Sequence, residues 1–431
     1  MAKIRFNNTH LTRSVGTVSS SGIAGQVYTT ATHTKTIDNP NTFSTSQNDY
    51  FGWVVDISGN YAIVGAPFED VAGGNDSGNA YIVDVTTGNL IHTLDNPSAY
   101  STSPGDQFGR SVAISGNYAI VGAFQEDDAS GDGSGKAYIF DVTTGNLLHT
   151  LDNPNAYSTS GADKFGWSVA IDDTYAIVSA YNEDDDGGTQ SGKVYIFDTT
   201  TGNLLHTLDN PNAYGTSASD AFGWSVSVSG NYTIVGARDE DDITGFSSGK
   251  AYIFDVTTGN LAHTLDNPNA YDTGTNDYFG EHVAIDGNYA IVGAHYEDDT
   301  GGFISGKAYI FDVTTGNLLH TLDNPNAFSA SGNDRFGFSV SIDGNYTIVG
   351  AYGEDDQPLT GSGYSGKAYI FDVTTGNLVA TLDNPNAFST SVNDNFSCSV
   401  AISNNHVIVG AFAEGDAAGN YSGKAYIFEL S

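Results

Sequence analysis

The residues best suited to chemistry in this chain are carboxylates, and they recur at a fixed interval. Five clusters read Glu126-Asp127-Asp128, Glu183-Asp184-Asp185, Glu240-Asp241-Asp242, Glu297-Asp298-Asp299 and Glu354-Asp355-Asp356. Glu69-Asp70 and Glu414 with Asp416 stand at matching places. Grouped carboxylates are hard oxygen donors, so calcium is the one cofactor these residues would suit. A calcium ion takes about six to eight oxygens, usually from a loop that wraps it around a glycine. These clusters lack such a loop. The competing expectation is a set of solvated loops, each paired with the lysine that follows: Lys136, Lys193, Lys250, Lys307, Lys367 and Lys424, with Asn79 in the first copy.

Other polar residues recur too. Asp49, Asp106, Asp163, Asp220, Asp277, Asp334 and Asp394 each stand two residues before a phenylalanine. An Asp at the start of a strand is expected to hydrogen-bond the loop before it. His92, His149, His206, His263 and His320 recur in the same way, but Ala380 and Lys35 replace them elsewhere. That tolerance points to structure rather than ligation. The irregularities are residues 357–364, Arg238, His282 and His295, which form no recognisable set in the linear sequence. Catalysis needs a nucleophile, a base and a stabiliser in distinct roles. No such constellation stands out, so no enzyme is expected.

The elements that must position these residues follow from the repeat. Phe-Gly occurs at 51, 108, 165, 222, 279 and 336, in steps of 57 residues, and Phe396-Ser397 follows after 60. A period of this length, built of short strands, indicates a propeller or solenoid. The third copy reads as four strands: Phe165–Ile171, Tyr175–Ala180, Lys193–Asp198 and 203–208. All are rich in Val, Ile, Tyr and Phe. Ser115-Gly116-Asn117 and Asp141–Asn146 carry the turn chemistry of hairpins. The fold class expected is all-β, a seven-bladed β-propeller of four-stranded antiparallel blades starting near 51, 108, 165, 222, 279, 336 and 396. Stacking around an axis covers both faces of each blade. The last copy ends without a fourth strand, while Thr36–Asn41, TIDNPN, matches Thr150–Asn155, TLDNPN. Residues 31–42 are therefore expected to close blade seven beside Lys424–Glu429. Residues 31–431 form the propeller and residues 1–30 a separate basic segment.

The succession Asp-x-Phe-Gly, Val-Gly-Ala, Glu-Asp-Asp and Ser-Gly-Lys-Ala-Tyr-Ile-Phe resembles the FG-GAP repeat over residues 31–431. That repeat builds the integrin α-subunit propeller and many bacterial and viral surface proteins. The resemblance implies a propeller used in extracellular recognition and leaves the ligand open. Many relatives carry a calcium loop between strands one and two. Here that connection is as short as Ser58-Gly59-Asn60, too short to wrap the ion. Only Gly65-Ala66-Pro67 keeps the full Gly-Ala-Pro.

Composition narrows the function further. There are 51 acids against 14 Lys and Arg, for a net charge of −37. Such a body repels phosphate backbones, so nucleic acid is not an expected partner. No apolar run is long enough for a membrane-spanning helix, and the polar N-terminus lacks the apolar core of a cleaved signal. The lone Cys398 permits no internal disulfide. Residues 1–37 contain no acid, and Lys3, Arg5, Phe6 and Arg13 are expected to anchor the chain in a larger protein assembly. The expected role is a virion-surface or cell-surface attachment protein that meets a host-surface glycan or protein. A structural decoration or spacer is the alternative, and a carbohydrate-active enzyme the least favoured.

Overall fold

The computed structural model describes residues 28–40, 48–70, 76–97, 105–127, 133–154, 163–184, 190–211, 219–241, 247–268, 276–298, 304–325, 333–354, 364–385, 394–415 and 421–431. The anchor residues Lys3, Arg5, Phe6 and Arg13 lie outside these ranges, as do Asp128, Asp185, Asp242, Asp299, Asp355, Asp356 and Asp416. So do residues 41, 42 and 357–363.

The chain forms seven four-stranded antiparallel sheets. In blade three the strands are Phe165–Ile171, Tyr175–Ala180, Lys193–Asp198 and Leu204–Asp209. These bounds match the sequence reading, with the fourth strand shifted by one residue. The first strand of each blade packs against the first strand of the next, and Ser399–Ser403 packs against Val54–Ser58. First strands therefore surround the axis. Fourth strands lie at the rim, where Leu147, Leu204 and Leu318 are exposed.

The ring closes as the repeat predicts. In blade seven the order is Ser399–Ser403, His406–Ala411, Lys424–Leu430 and then Ala31–Asp38. Ala31 stands opposite Leu430 and Asp38 opposite Lys424. Tyr28, just before this strand, is buried in the core between blades six and seven. Its ring lies 4.9 Å from that of Tyr346, and its backbone N–H donates to the Tyr346 hydroxyl at 3.0 Å.

Each blade-to-blade interface has its own apolar core. One joins Ile63, Ile82 and Leu94 of blade one to Phe108, Val121 and Tyr138 of blade two. Burying a side chain of this size contributes about 1.5–3 kcal/mol, so every interface holds the ring shut. The Phe-Gly signature sits on this seam. Phe108 is fully buried. Gly109, at φ +86°, lies so close to the Asn79 carbonyl of blade one that a Cβ would collide with it. Ser397 replaces this glycine in blade seven, and its hydroxyl donates to the Lys367 carbonyl at 2.6 Å.

The strands around the axis are also laced together. Ser and Asp side chains accept from backbone N–H groups one blade onward. Ile114 donates to Asp56 at 2.8 Å, Val226 to Ser168 at 3.2 Å and Ile402 to Ser341 at 3.3 Å. Across the closure, Val55 donates to Ser399 at 3.0 Å. This satisfies donors that an inner sheet edge would otherwise leave open.

Candidate functional site

The acidic clusters follow second strands, and their leading glutamates are not solvated. Glu69, Glu126, Glu183, Glu240, Glu297, Glu354 and Glu414 are all buried. Each meets the tyrosine of its own third strand. The Tyr138 hydroxyl lies 2.7 Å from both Glu126 oxygens, and Tyr195 lies 2.7 and 2.8 Å from those of Glu183. Burial pushes Glu69, Glu183 and Glu414 up to about 7 and Glu240 and Glu297 to about 8, with a neighbouring Asp adding to each. The second acid ties the loop base, since Asp127 accepts from Gly133 N–H at 2.7 Å and Asp184 from Gln190 N–H at 2.8 Å.

The expectation of solvated acid runs is thus corrected for the leading glutamates, while the lysine that follows does lie near enough to favour the charged form of Glu183, Glu240, Glu297 and Glu414. The lysines bond across the hairpin to fourth-strand aspartates: Lys136 to Asp152, Lys193 to Asp209, Lys250 to Asp266. Among the described residues, no group of three or more metal-ligating side chains is placed to hold a metal ion.

The recurring Asp before each Phe does close a loop, and among the described residues it does so through an asparagine side chain. Asp106 accepts from the Asn96 amide at 3.0 Å, and Asp163 from Asn153 at 3.0 Å. The recurring histidines clip neighbouring blades at the rim. His92 Nε2 lies 3.0 Å from the Thr143 carbonyl and His149 Nε2 3.0 Å from that of Thr200.

A second arrangement, hidden in the linear sequence, lies at one end of the axis. First strands begin there and second strands finish there. The position two after each signature Phe carries Trp53, Arg110, Trp167, Trp224, Glu281, Phe338 and Cys398 in successive blades. The position after each Gly-Ala carries Pro67, Phe124, Tyr181, Arg238, His295, Tyr352 and Phe412, with Ser-Ala preceding Tyr181. In a chain that repeats DVTTGNL almost letter for letter, these columns vary freely.

Their side chains meet. The Arg110 guanidinium lies 4.8 Å from the Trp53 ring and 4.7 Å from the Trp167 ring. Trp167 and Trp224 have centroids 4.7 Å apart. Arg238 sits 3.4 Å over Trp224 and 5.2 Å from Tyr278. A continuous stack of rings and cations therefore crosses five blades. Cation–π contacts of this kind contribute about 0.5–2 kcal/mol each. Tyr50, Lys164, Tyr278 and Arg335, just before the signature Phe, border the stack with left-handed backbone, at φ between 54° and 64°. That conformation favours glycine. Gln107, Ala221 and Asn395 hold the same conformation in the remaining blades, so it belongs to the repeat.

Three of the irregular residues converge here. Arg238 Nη1 lies 3.0 Å from Glu281 Oε1, and His295 Nδ1 lies 3.0 Å from Glu281 Oε2. His282 adjoins them, its ring 4.9 Å from Phe338. Burial would raise Glu281, but the charges of His295, His282 and Arg238 outweigh it and hold the carboxyl down at about 2. Burial pushes His282 down to about 4. Glu281 is thus a fixed anion that locks Arg238 against Trp224. The chain's only three tryptophans, Trp53, Trp167 and Trp224, all lie half-buried at this end.

The architecture defines the class: a seven-bladed β-propeller closed by its N-terminal strand, with one non-repeated face. The FG-GAP repeat matches residues 45–83, 98–140, 156–197, 212–254, 269–311, 327–371 and 389–428, and the chain belongs to that family. No curated protein matches it. A propeller of such repeats fits non-catalytic adhesion or recognition at a surface. Among the described residues, no helix is long and apolar enough to cross a membrane.

Proposed function

We propose that this protein is a non-catalytic recognition propeller that presents the aromatic and cationic end of its axis to a host-surface ligand. One observation carries the reading: side-chain variation among near-identical blades concentrates at that end and places tryptophan and arginine together. Trp, Tyr and Arg dominate binding hot spots because they give large rigid contact area and fixed donors. Glu281 is committed to Arg238 and His295, which suits scaffolding rather than acid–base work. In the same proposal, residues 1–30 anchor the chain in a larger assembly through Lys3, Arg5, Phe6 and Arg13. A virion surface is the setting that fits a basic leading segment and an acidic body.

The test is binding of fluorescently labelled full-length protein to a panel of intact bacterial and animal cells. The expected result is saturable binding to at least one cell type. The Trp53→Ala/Trp167→Ala double variant lowers it about tenfold or more, and the rim variant His149→Ala leaves it unchanged. Absence of binding throughout would overturn the reading and favour a structural decoration. Binding lost equally in the rim variant would overturn the choice of face.

A further inference from the structure

We propose that the axial mouth takes a carboxylate-bearing saccharide, with its carboxylate in the fork of Arg110 and its sugar rings against Trp53 and Trp167. The inference rests on the reading of this end as the recognition face and adds the ligand's chemistry.

The distribution of cations points to it. Of the 14 basic residues, Lys3, Arg5 and Arg13 are in the leading segment, and Lys35 lies on the rim strand. Six are the third-strand lysines bonded to fourth-strand aspartates. The four left are Arg110, Lys164, Arg238 and Arg335, all at this end and all over aromatic rings. Arg238 is neutralised by Asp239 and Glu281, at 3.3 and 3.0 Å. Lys164 feels Asp127.

Arg110 differs. It is half-buried between two indoles and, among the described residues, its guanidinium has neither a carboxylate partner nor a hydrogen-bond acceptor. Burial pushes it down to about 10. A chain with 51 acids could readily have supplied a partner. Its N–H donors are not sealed from solvent, so a ligand can reach them. A ligand carboxylate satisfies them in bidentate fashion.

The walls select the rest of the ligand. Flat half-buried indoles on both sides of the guanidinium suit the C–H faces of sugar rings. A peptide would seek an open strand edge for backbone pairing. Inner-strand N–H groups here are already engaged, as Val226 is by Ser168 and Val283 by Ser225, both at 3.2 Å. Asp70 and Asp184, both exposed on this same end, disfavour densely charged polyanions. They leave room for a single carboxylate.

Titration calorimetry on the full-length chain tests this with sialyllactose, trigalacturonate, their neutral counterparts lactose and α-1,4-galactotriose, and a Glu-rich peptide. The expected result is binding of at least one acidic sugar, sialylated or uronic. Arg110→Gln weakens it about tenfold or more in a protein that stays folded by circular dichroism, and Trp167→Ala weakens it as well. Equal binding of neutral and acidic sugars, or full affinity in Arg110→Gln, would overturn the inference and leave the recognition reading standing. Preference for the peptide would do the same. If cells bind but no sugar does, the inference alone falls. If neither binds, both fall.

Discussion

Lys424 donates a hydrogen bond to Asp38 across 386 residues of chain, while the same bond joins Lys136 to Asp152 across only 16. The closing strand thus repeats, without covalent continuity, the contacts of an ordinary hairpin. Ile37 enters the core between blades seven and one with Ile408 and Ile427.

Deleting residues 1–42 should therefore open the seam between blades seven and one. Calorimetry should record a fall in melting temperature of about 10 °C or more, since several buried apolar groups and a strand's pairing are lost together. An unchanged transition would mean the ring does not depend on this closure.

The buried Glu–Tyr pairs give a chemical test. Tyr195→Phe removes the donor nearest the Glu183 carboxylate and should cost about 1–3 kcal/mol in urea denaturation. Glu183→Gln keeps a polar partner for Tyr195 without the buried charge and should cost less. Equal losses would mean burial of the charge is not the governing cost.

The same glutamates set a pH dependence. Their folded pKa values are raised to about 7 and 8, while in the unfolded chain they titrate near ~4.3. Between these values the folded state binds more protons, so stability falls as pH rises. Full stability is present below the unfolded value and lost through the folded one. His282, down at about 4, acts in the opposite direction but only below about 6.5. From pH 6.5 to 8.5, with chelator present, the melting temperature should drop. A rise on adding calcium at pH 8.5 would show instead that the acidic loops hold the ion and that the carboxylates are compensated by it.

The seam glycines should resist change. Gly109→Ala places a Cβ against the Asn79 carbonyl at a positive φ and should destabilise by about 2 kcal/mol or more. The Ser found at 397 keeps its own compensating bonds, to the Lys367 carbonyl and from Ala351 N–H. A neutral result would mean the blades separate there easily.

The strands were legible because the repeat states its punctuation seven times, so Tyr175–Ala180 and Lys193–Asp198 emerge at their true bounds. The closing strand was legible because TIDNPN duplicates TLDNPN. The fate of Glu183 was not, since its partner Tyr195 lies 12 residues on, beyond an acidic loop that reads as solvent-facing. Arg238, Glu281 and His295 looked scattered because 43 and 14 residues separate them. The signal lay in the column two after each Phe, where Trp53, Arg110, Trp167, Trp224, Glu281, Phe338 and Cys398 vary, while the column before it is glycine in six of seven copies.

Trp53, Trp167 and Trp224 are the only tryptophans in the chain; the first two flank the proposed site and the third packs against Trp167. Tryptophan emission is therefore a direct reporter of occupancy. Titrating the unmodified protein with an acidic oligosaccharide that it binds should shift the emission and shield the rings from acrylamide quenching, with the same midpoint as the calorimetric titration. Saturable binding with emission and quenching unchanged would place the ligand elsewhere and contradict the assignment of the axial mouth.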